Sequence, residues 1–265
     1  MTFDVIEWLN IILRWSHVFA AILWVGSTYY FTWLDGQITA AEDKKVWMVH
    51  SGGFYVVEKQ AKPEILPKKL HWFRWEAAFT WLSGFLLLAL VYYMGTGMMV
   101  DDTVSTLSHG AAIGIGIGLI VVGWLVYDVL CISPLGKQPA VLAALFYAMI
   151  VGIAYGTTQL LSGRAAYIHI GAMFGTIMAA NVWMRILPGQ RRMVAAMQAG
   201  QAPDMSYGER AKLRSKHNTF IVVPVVFIML SSHFPSSTYG SKYNWVVLSV
   251  LVLAGWVAAK FVRRA

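Results

Sequence analysis

Residues 14–35 read Arg14-Trp15-Ser16-His17-Val18-Phe19-Ala20-Ala21-Ile22-Leu23-Trp24-Val25-Gly26-Ser27-Thr28-Tyr29-Tyr30-Phe31-Thr32-Trp33-Leu34-Asp35. Between the charged ends, the twenty residues Trp15 to Leu34 carry no formal charge, enough for a helix to cross a bilayer. One histidine lies inside that run. Helical steps from His17 reach Ala21, Trp24, Thr28 and Phe31 on one face. The small Ala21 leaves room beside the imidazole for a bulky group, with Trp24 and Phe31 as walls. An ionisable group in a span commonly faces a protein interior or a cavity. The alternative is a packing histidine, hydrogen-bonded to a neighbouring helix.

Working outward, six more apolar stretches follow, at 73–99, 109–131, 139–162, 165–187, 218–234 and 244–262, which with 9–34 make seven spans. Composition agrees: 58% of the 265 residues are hydrophobic and 13% charged, against about 25% charged in soluble domains. The expected fold is an all-α, polytopic transmembrane bundle forming one domain, 1–265, with connections near 35–72 and 188–217. The sixth span is short and contains Pro224, which predicts a kinked helix or one that only just crosses. Glycines at 110, 114 and 118 and at 171 and 175 have the small-xxx-small spacing that lets membrane helices approach closely. The Gly114-Ile115-Gly116 run lies inside an apolar helix, so it is no phosphate-binding loop. The glycines and aromatics of Val49-His50-Ser51-Gly52-Gly53-Phe54-Tyr55 predict an ordered turn or short hairpin.

Charge placement orients the bundle. Eighteen of the 21 lysines and arginines fall on one side, including Lys44, Lys45, Lys59, Lys62, Lys68 and Lys69 in the first long connection. Arg191, Arg192, Arg210, Lys212, Arg214 and Lys216 occupy the second, and Lys260, Arg263 and Arg264 the C-terminus. Only Arg14, Arg164 and Lys242 lie on the other side, so the positive-inside rule predicts an outside N-terminus and an inside C-terminus. The net charge of +8 sits in loops between spans, which argues for the lipid bilayer and against nucleic acid as partner. The single cysteine, Cys131, excludes an intrachain disulfide and any multi-cysteine metal site, and no C-x-x-C-H run is present for covalent haem attachment. The acidic start, Asp4 and Glu7, does not resemble a cleavable signal peptide.

The seven histidines divide into two layers in this topology. His17, His169 and His233 belong to the outer leaflet, His169 about 7 or 8 Å deep at the rise of a helix. His50, His71 and His217 lie at the cytoplasmic edge, and His109 opens the third span. Imidazoles without thiolates suit haem iron, copper or non-haem iron, and facing histidines with aromatic and small neighbours suit a b-type haem. His17 and His169 are the expected iron ligands, with His233 and His71 in reserve, while His50 and His109 read as ordinary interfacial residues. Arg14 and Arg164, with Gln159, Thr157 and Thr158 near them, are expected to hold propionates or a substrate anion. Glu76, on a face with Thr80 and Ser83, pairs with a base, snorkels or relays protons; Asn181 is expected to hydrogen-bond between helices.

The motif Arg14-Trp15-Ser16-His17, with Trp24-Val25-Gly26 and Tyr30 to Asp35, resembles the opening of the membrane urate hydroxylase family, known by its urate oxidase N-terminal membrane domain. Leu70-His71-Trp72-Phe73-Arg74-Trp75-Glu76 into Thr80-Trp81-Leu82-Ser83-Gly84 agrees, as do Asn181 to Gln190 and His217-Asn218 through Pro224 to Ser232-His233-Phe234-Pro235. The first span is also similar, more loosely, to the membrane protoporphyrinogen oxidase family, whose members bind haem b. The first resemblance implies a bacterial inner-membrane oxidoreductase that hydroxylates urate to 5-hydroxyisourate with water-derived oxygen and passes electrons to a cytochrome c. Such proteins typically continue into one more span and a periplasmic cytochrome c domain, whereas this sequence ends at Phe261-Val262-Arg263-Arg264-Ala265. A separate cytochrome, a truncation and a different activity are the alternatives. From the residues themselves, a haem-binding electron-transfer or assembly protein and a transporter without a redox centre are the rival classes; a transporter predicts inverted repeats and broken helices.

Overall fold

A computed structural model describes residues 4–60, 63, 69–95 and 97–263. Lys62, Lys68 and Arg264, used above in the charge count, lie outside the described residues. The chain forms α1 (Val5–Ala40), a hairpin of β1 (Lys45–His50) and β2 (Gly53–Glu58), α2 (Trp75–Leu88), α3 (His109–Ile132), α4 (Pro139–Thr158), α5 (Gly163–Ala180), α6 (Leu187–Gln198), α7 (Ser206–Ser231) and α8 (Asn244–Val262). A π-helical turn extends α2 over Ala89–Tyr93, and a second, Asn181–Ile186, joins α5 to α6 without a break. Seven of these helical units are long and apolar enough to cross a membrane. Successive spans alternate in direction, so one end of the bundle, here the N-terminal end, gathers the starts of α1, α3, α5 and α8. The other, the C-terminal end, gathers their finishes.

Start signals agree with the sequence. The Asp4 carboxylate accepts the amides of Ile6 and Glu7 at 2.9 and 3.1 Å, and Ser108 and Ser162 cap α3 and α5 in the same way. The hairpin turns on Ser51 and Gly52 at φ of 50° and 75°, and positive φ at both central residues is what a tight two-residue hairpin requires.

The helices differ greatly in burial. In the most apolar window of each, 61% of the residues are buried in the span of α5 and 6% in α1, which makes α5 the central strut and α1 a peripheral one. Tyr167, Ile170, Phe174 and Ile177 of α5 meet Val222 and Ile228 of α7 and Leu248 and Val252 of α8 in the main core.

Three expectations are corrected. Gly110, Gly114, Gly118 and Gly175 have nothing within 4 Å of an added Cβ; the close approaches fall at Gly116 and Gly123 of α3, where His169 and Met173 of α5 seat, and at Gly171 against Ile228. The packing face of α3 is therefore set seven residues apart, two turns of the helix, rather than four. The sixth span is not short: α7 begins at Ser206 and runs through Pro224, whose ring packs where Gly255 of α8 provides no side chain, its Cδ 2.9 Å from an added Cβ. The second long connection consequently shrinks to residues 199–205, since both of its flanks are helical.

Candidate functional site

Polar groups collect at both ends of the bundle. At the N-terminal end, His17 Nδ1 lies 2.9 Å from the Thr80 carbonyl and 3.2 Å from Ser83 Oγ of α2, with its ring against Gly84. A carbonyl only accepts, so Nδ1 carries the proton and Nε2 holds a lone pair, for which no partner exists among the described residues. The neighbour that makes room is thus Gly84 of the next helix rather than Ala21. Trp24 packs into the core, while Phe31 meets Phe73 edge-on at 4.9 Å, so the two do not wall one pocket.

His169 is fully buried. Its Nδ1 donates to the Ala165 carbonyl at 2.7 Å, and its Nε2 accepts from the Tyr93 hydroxyl at 3.1 Å. Both ring nitrogens are therefore occupied, and a Cβ on Gly116 would lie 2.5 Å from Nε2. The two imidazoles share no neighbour: their partners Ser83 and Tyr93 are ten residues apart on one helical segment, about 15 Å of rise. The expected single layer of facing histidines is not what the packing forms. His233 is exposed, as is His71, which meets Phe73 at a ring distance of 4.6 Å. His109 donates from Nε2 to the Tyr93 carbonyl at 2.9 Å.

The π-turn at Ala89–Tyr93 turns two tyrosines toward α5: Tyr93 to His169, and Tyr92 to Arg164, whose guanidinium lies 6.0 Å from the Tyr92 ring centre. The Arg164 guanidinium also hydrogen-bonds the Tyr92 hydroxyl, while Arg14 acts on it only through its charge. Arg164 sits in the first turn of α5, where the helix dipole disfavours a cation, and its buried Nε has no partner among the described residues. Arg14 is exposed and, among the described residues, hydrogen-bonds Asn10 of its own helix at 2.5 Å. Such a pair suits an incoming anion. Gln159 does not join it, being exposed at the end of α4, and the hydroxyls of Thr157 and Thr158 return to carbonyls of their own helix. Glu76 forms no ion pair among the described residues; it lines a groove of about 420 Å³ between α1 and α2 with Ser16, Phe19 and Ser83.

The C-terminal end holds a closed network that sequence reasoning misses. Asp128 of α3, buried, receives Arg214 Nη2 of α7 at 2.7 Å and Arg185 of the second π-turn through Nε at 2.8 Å and through Nη2. The Asn181 amide donates to the Tyr127 hydroxyl and to Asn218, both at 2.9 Å, and Asn218 donates to the Met178 carbonyl at 3.1 Å. Asn181 is thus the interhelical tie expected, but Arg185 and Arg214 are not solvated loop residues. Arg214 is 5% exposed. The available signal was a lone carboxylate, Asp128, in an otherwise uncharged span, since such a group needs a cation close by.

Tyr127 links this network to a half-open cavity of about 500 Å³ lined by α3, α4, α5, α7 and α8. Its hydroxyl lies 2.9 Å from Nδ1 of His217, which lines the cavity, and Cys131 Sγ lies 3.8 Å from the same nitrogen. Among the described residues no three His, Cys, Asp or Glu side chains converge as a metal site. Of known families, the one described as urate oxidase N-terminal matches residues 4–265, nearly the whole chain. No curated protein and no solved structure matches it.

Proposed function

Because the chain belongs to the urate oxidase N-terminal family, we propose that it is a membrane oxidoreductase that converts urate to 5-hydroxyisourate. Urate and water then yield the hydroxylated product, two protons and two electrons, and each electron goes to a cytochrome c. The observation that carries this reading, beyond membership itself, is Arg164 beside the Tyr92 ring, its buried Nε without a partner among the described residues. Urate is a planar anion rich in hydrogen-bond acceptors, and a guanidinium beside an aromatic ring suits it. On the charge pattern, this end faces the periplasm of a bacterial inner membrane, where a cytochrome c would collect the electrons.

Haem b would suit this reaction, since it would supply single-electron transfer between a two-electron substrate and a one-electron acceptor. His17 suits it: its Nδ1 proton is fixed on the Thr80 carbonyl, the arrangement that orients a ligating imidazole, and its Nε2 is free among the described residues. His169 suits it less, because Tyr93 already occupies Nε2. The test is urate-dependent reduction of added cytochrome c by the purified protein in detergent. A urate KM about tenfold higher in Arg164→Gln supports the reading, whereas cytochrome c left oxidised with urate in excess overturns it.

A further inference from the structure

The cavity beside His217 has the features of a binding site in its own right. Its walls are apolar and partly aromatic, with Phe146, Phe174, Phe220 and Trp256 among them. Three polar features interrupt them. His217 lines the cavity with Nδ1 engaged by Tyr127 and Nε2 without a partner among the described residues. The indole Nε1 of Trp256, buried in the wall, likewise has no acceptor there. Lys216 and Lys260 lie on the lining at the C-terminal end, and neither forms an ion pair among the described residues.

A ligand that answers all of these has a broad apolar body, acidic groups at one edge and an atom that binds imidazole nitrogen. An acyl lipid would use the apolar walls and the lysines but leave the imidazole idle. A quinone would use the imidazole but leave both ammonium groups without an anion. We infer that this cavity binds a haem, with His217 Nε2 as an iron ligand and Lys216 and Lys260 holding the propionates. Its volume falls within the range of cofactor pockets, about 300–1,000 Å³. For iron to bind at Nε2, His217 takes the Nδ1–H form and donates to the Tyr127 oxygen, while the phenol proton turns toward Cys131 Sγ. Tyr127 is then the positioning residue, and through Asn181 it ties the ligand to the Asp128 network. The inference rests on the proposed function for its choice of haem as redox group, but on different residues and on no claim about urate.

The test uses the full chain, expressed with ample haem and purified in detergent. Haem per chain is read from the Soret band and by extraction, with bound lipids identified by mass spectrometry. His217→Ala loses half or more of the wild-type haem, and His217→Gly regains the band when imidazole is added. The double variant K216Q/K260Q, altered only at exposed positions, loses haem severalfold faster on washing, and Tyr127→Phe shifts the Soret maximum or the midpoint potential. Wild-type haem content in His217→Ala overturns the assignment, as does a colourless wild-type protein. So does a stoichiometric acyl lipid that the double variant loses while its haem stays constant. Urate turnover is scored separately: a protein that keeps His217-dependent haem but never oxidises urate defeats the proposed function and leaves this site standing.

Discussion

At the N-terminal end of the bundle, Arg164 lies beside a tyrosine ring and, like Arg14, has no carboxylate bound to it among the described residues. At the C-terminal end, Arg185 and Arg214 close on one carboxylate, Asp128, and Asn181 carries the network on to Asn218 and to Tyr127 at the cavity wall. The same residue type therefore does two jobs. Ion-paired, arginine holds helices in place, whether buried like Arg214 or exposed like Arg185; with no carboxylate on it and a buried nitrogen left over beside an aromatic ring, it leaves a positive site that an anion can fill. Each end is also built on a π-helical turn, Ala89–Tyr93 at one and Asn181–Ile186 at the other. Such turns recur at functional sites because the widened turn frees backbone groups and redirects side chains.

The contrast can be broken most forcefully at Asp128. Asp128→Ala leaves two guanidinium groups facing each other, one of them almost fully buried, and stability should fall by about 3–5 kcal/mol, read as a lower unfolding temperature in detergent. A variant as stable as the parent would mean that the network holds nothing together. Next comes Gly116→Ala, whose new methyl would meet the His169 ring at 2.5 Å; overpacking of this kind costs about 1–3 kcal/mol. Gly114→Ala on the same helix, with open space at its Cβ, should be neutral in the same assay. Arg164→Gln should leave the unfolding temperature unchanged but raise the urate KM about tenfold, or about 1.4 kcal/mol of lost binding. An equal loss of stability would instead place Arg164 with the structural arginines. The smallest effect is expected for Ser83→Ala, which removes one hydroxyl from His17 while the Thr80 carbonyl remains; interhelical hydrogen bonds in membranes average about 0.6 kcal/mol.

The fold was legible in the sequence because lipid imposes a length on every span and glycine punctuates the turns. The hairpin was legible for a similar local reason, as Ser51-Gly52-Gly53 permits the positive φ that the turn adopts. What escaped is the rotation of each helix about its axis, which hydrophobicity cannot report when both lipid and core are apolar. That is why the glycine face of α3 is the one carrying Gly116 and Gly123, whereas His17 and His169 part because α1 starts at Val5, which sets His17 twelve residues into its helix against six for His169 after Gly163. Arg14 and Arg164 stood out in the sequence as charges at a sparsely basic surface. Arg214 was hidden among many other basic residues, and its partner Asp128 lies 86 positions away.

The wide turn at Asn181–Ile186 carries one residue more than an ordinary α turn needs. Deleting a single residue there would restore standard winding and leave the helix after it in phase, so Gly189 would keep its place against Tyr207. The change would fall on the side chains inside the turn, and Arg185 would lose its aim at Asp128. The segment therefore acts as a slack loop in a taut rope: it takes up one residue without disturbing either flank, and uses it to re-aim a side chain.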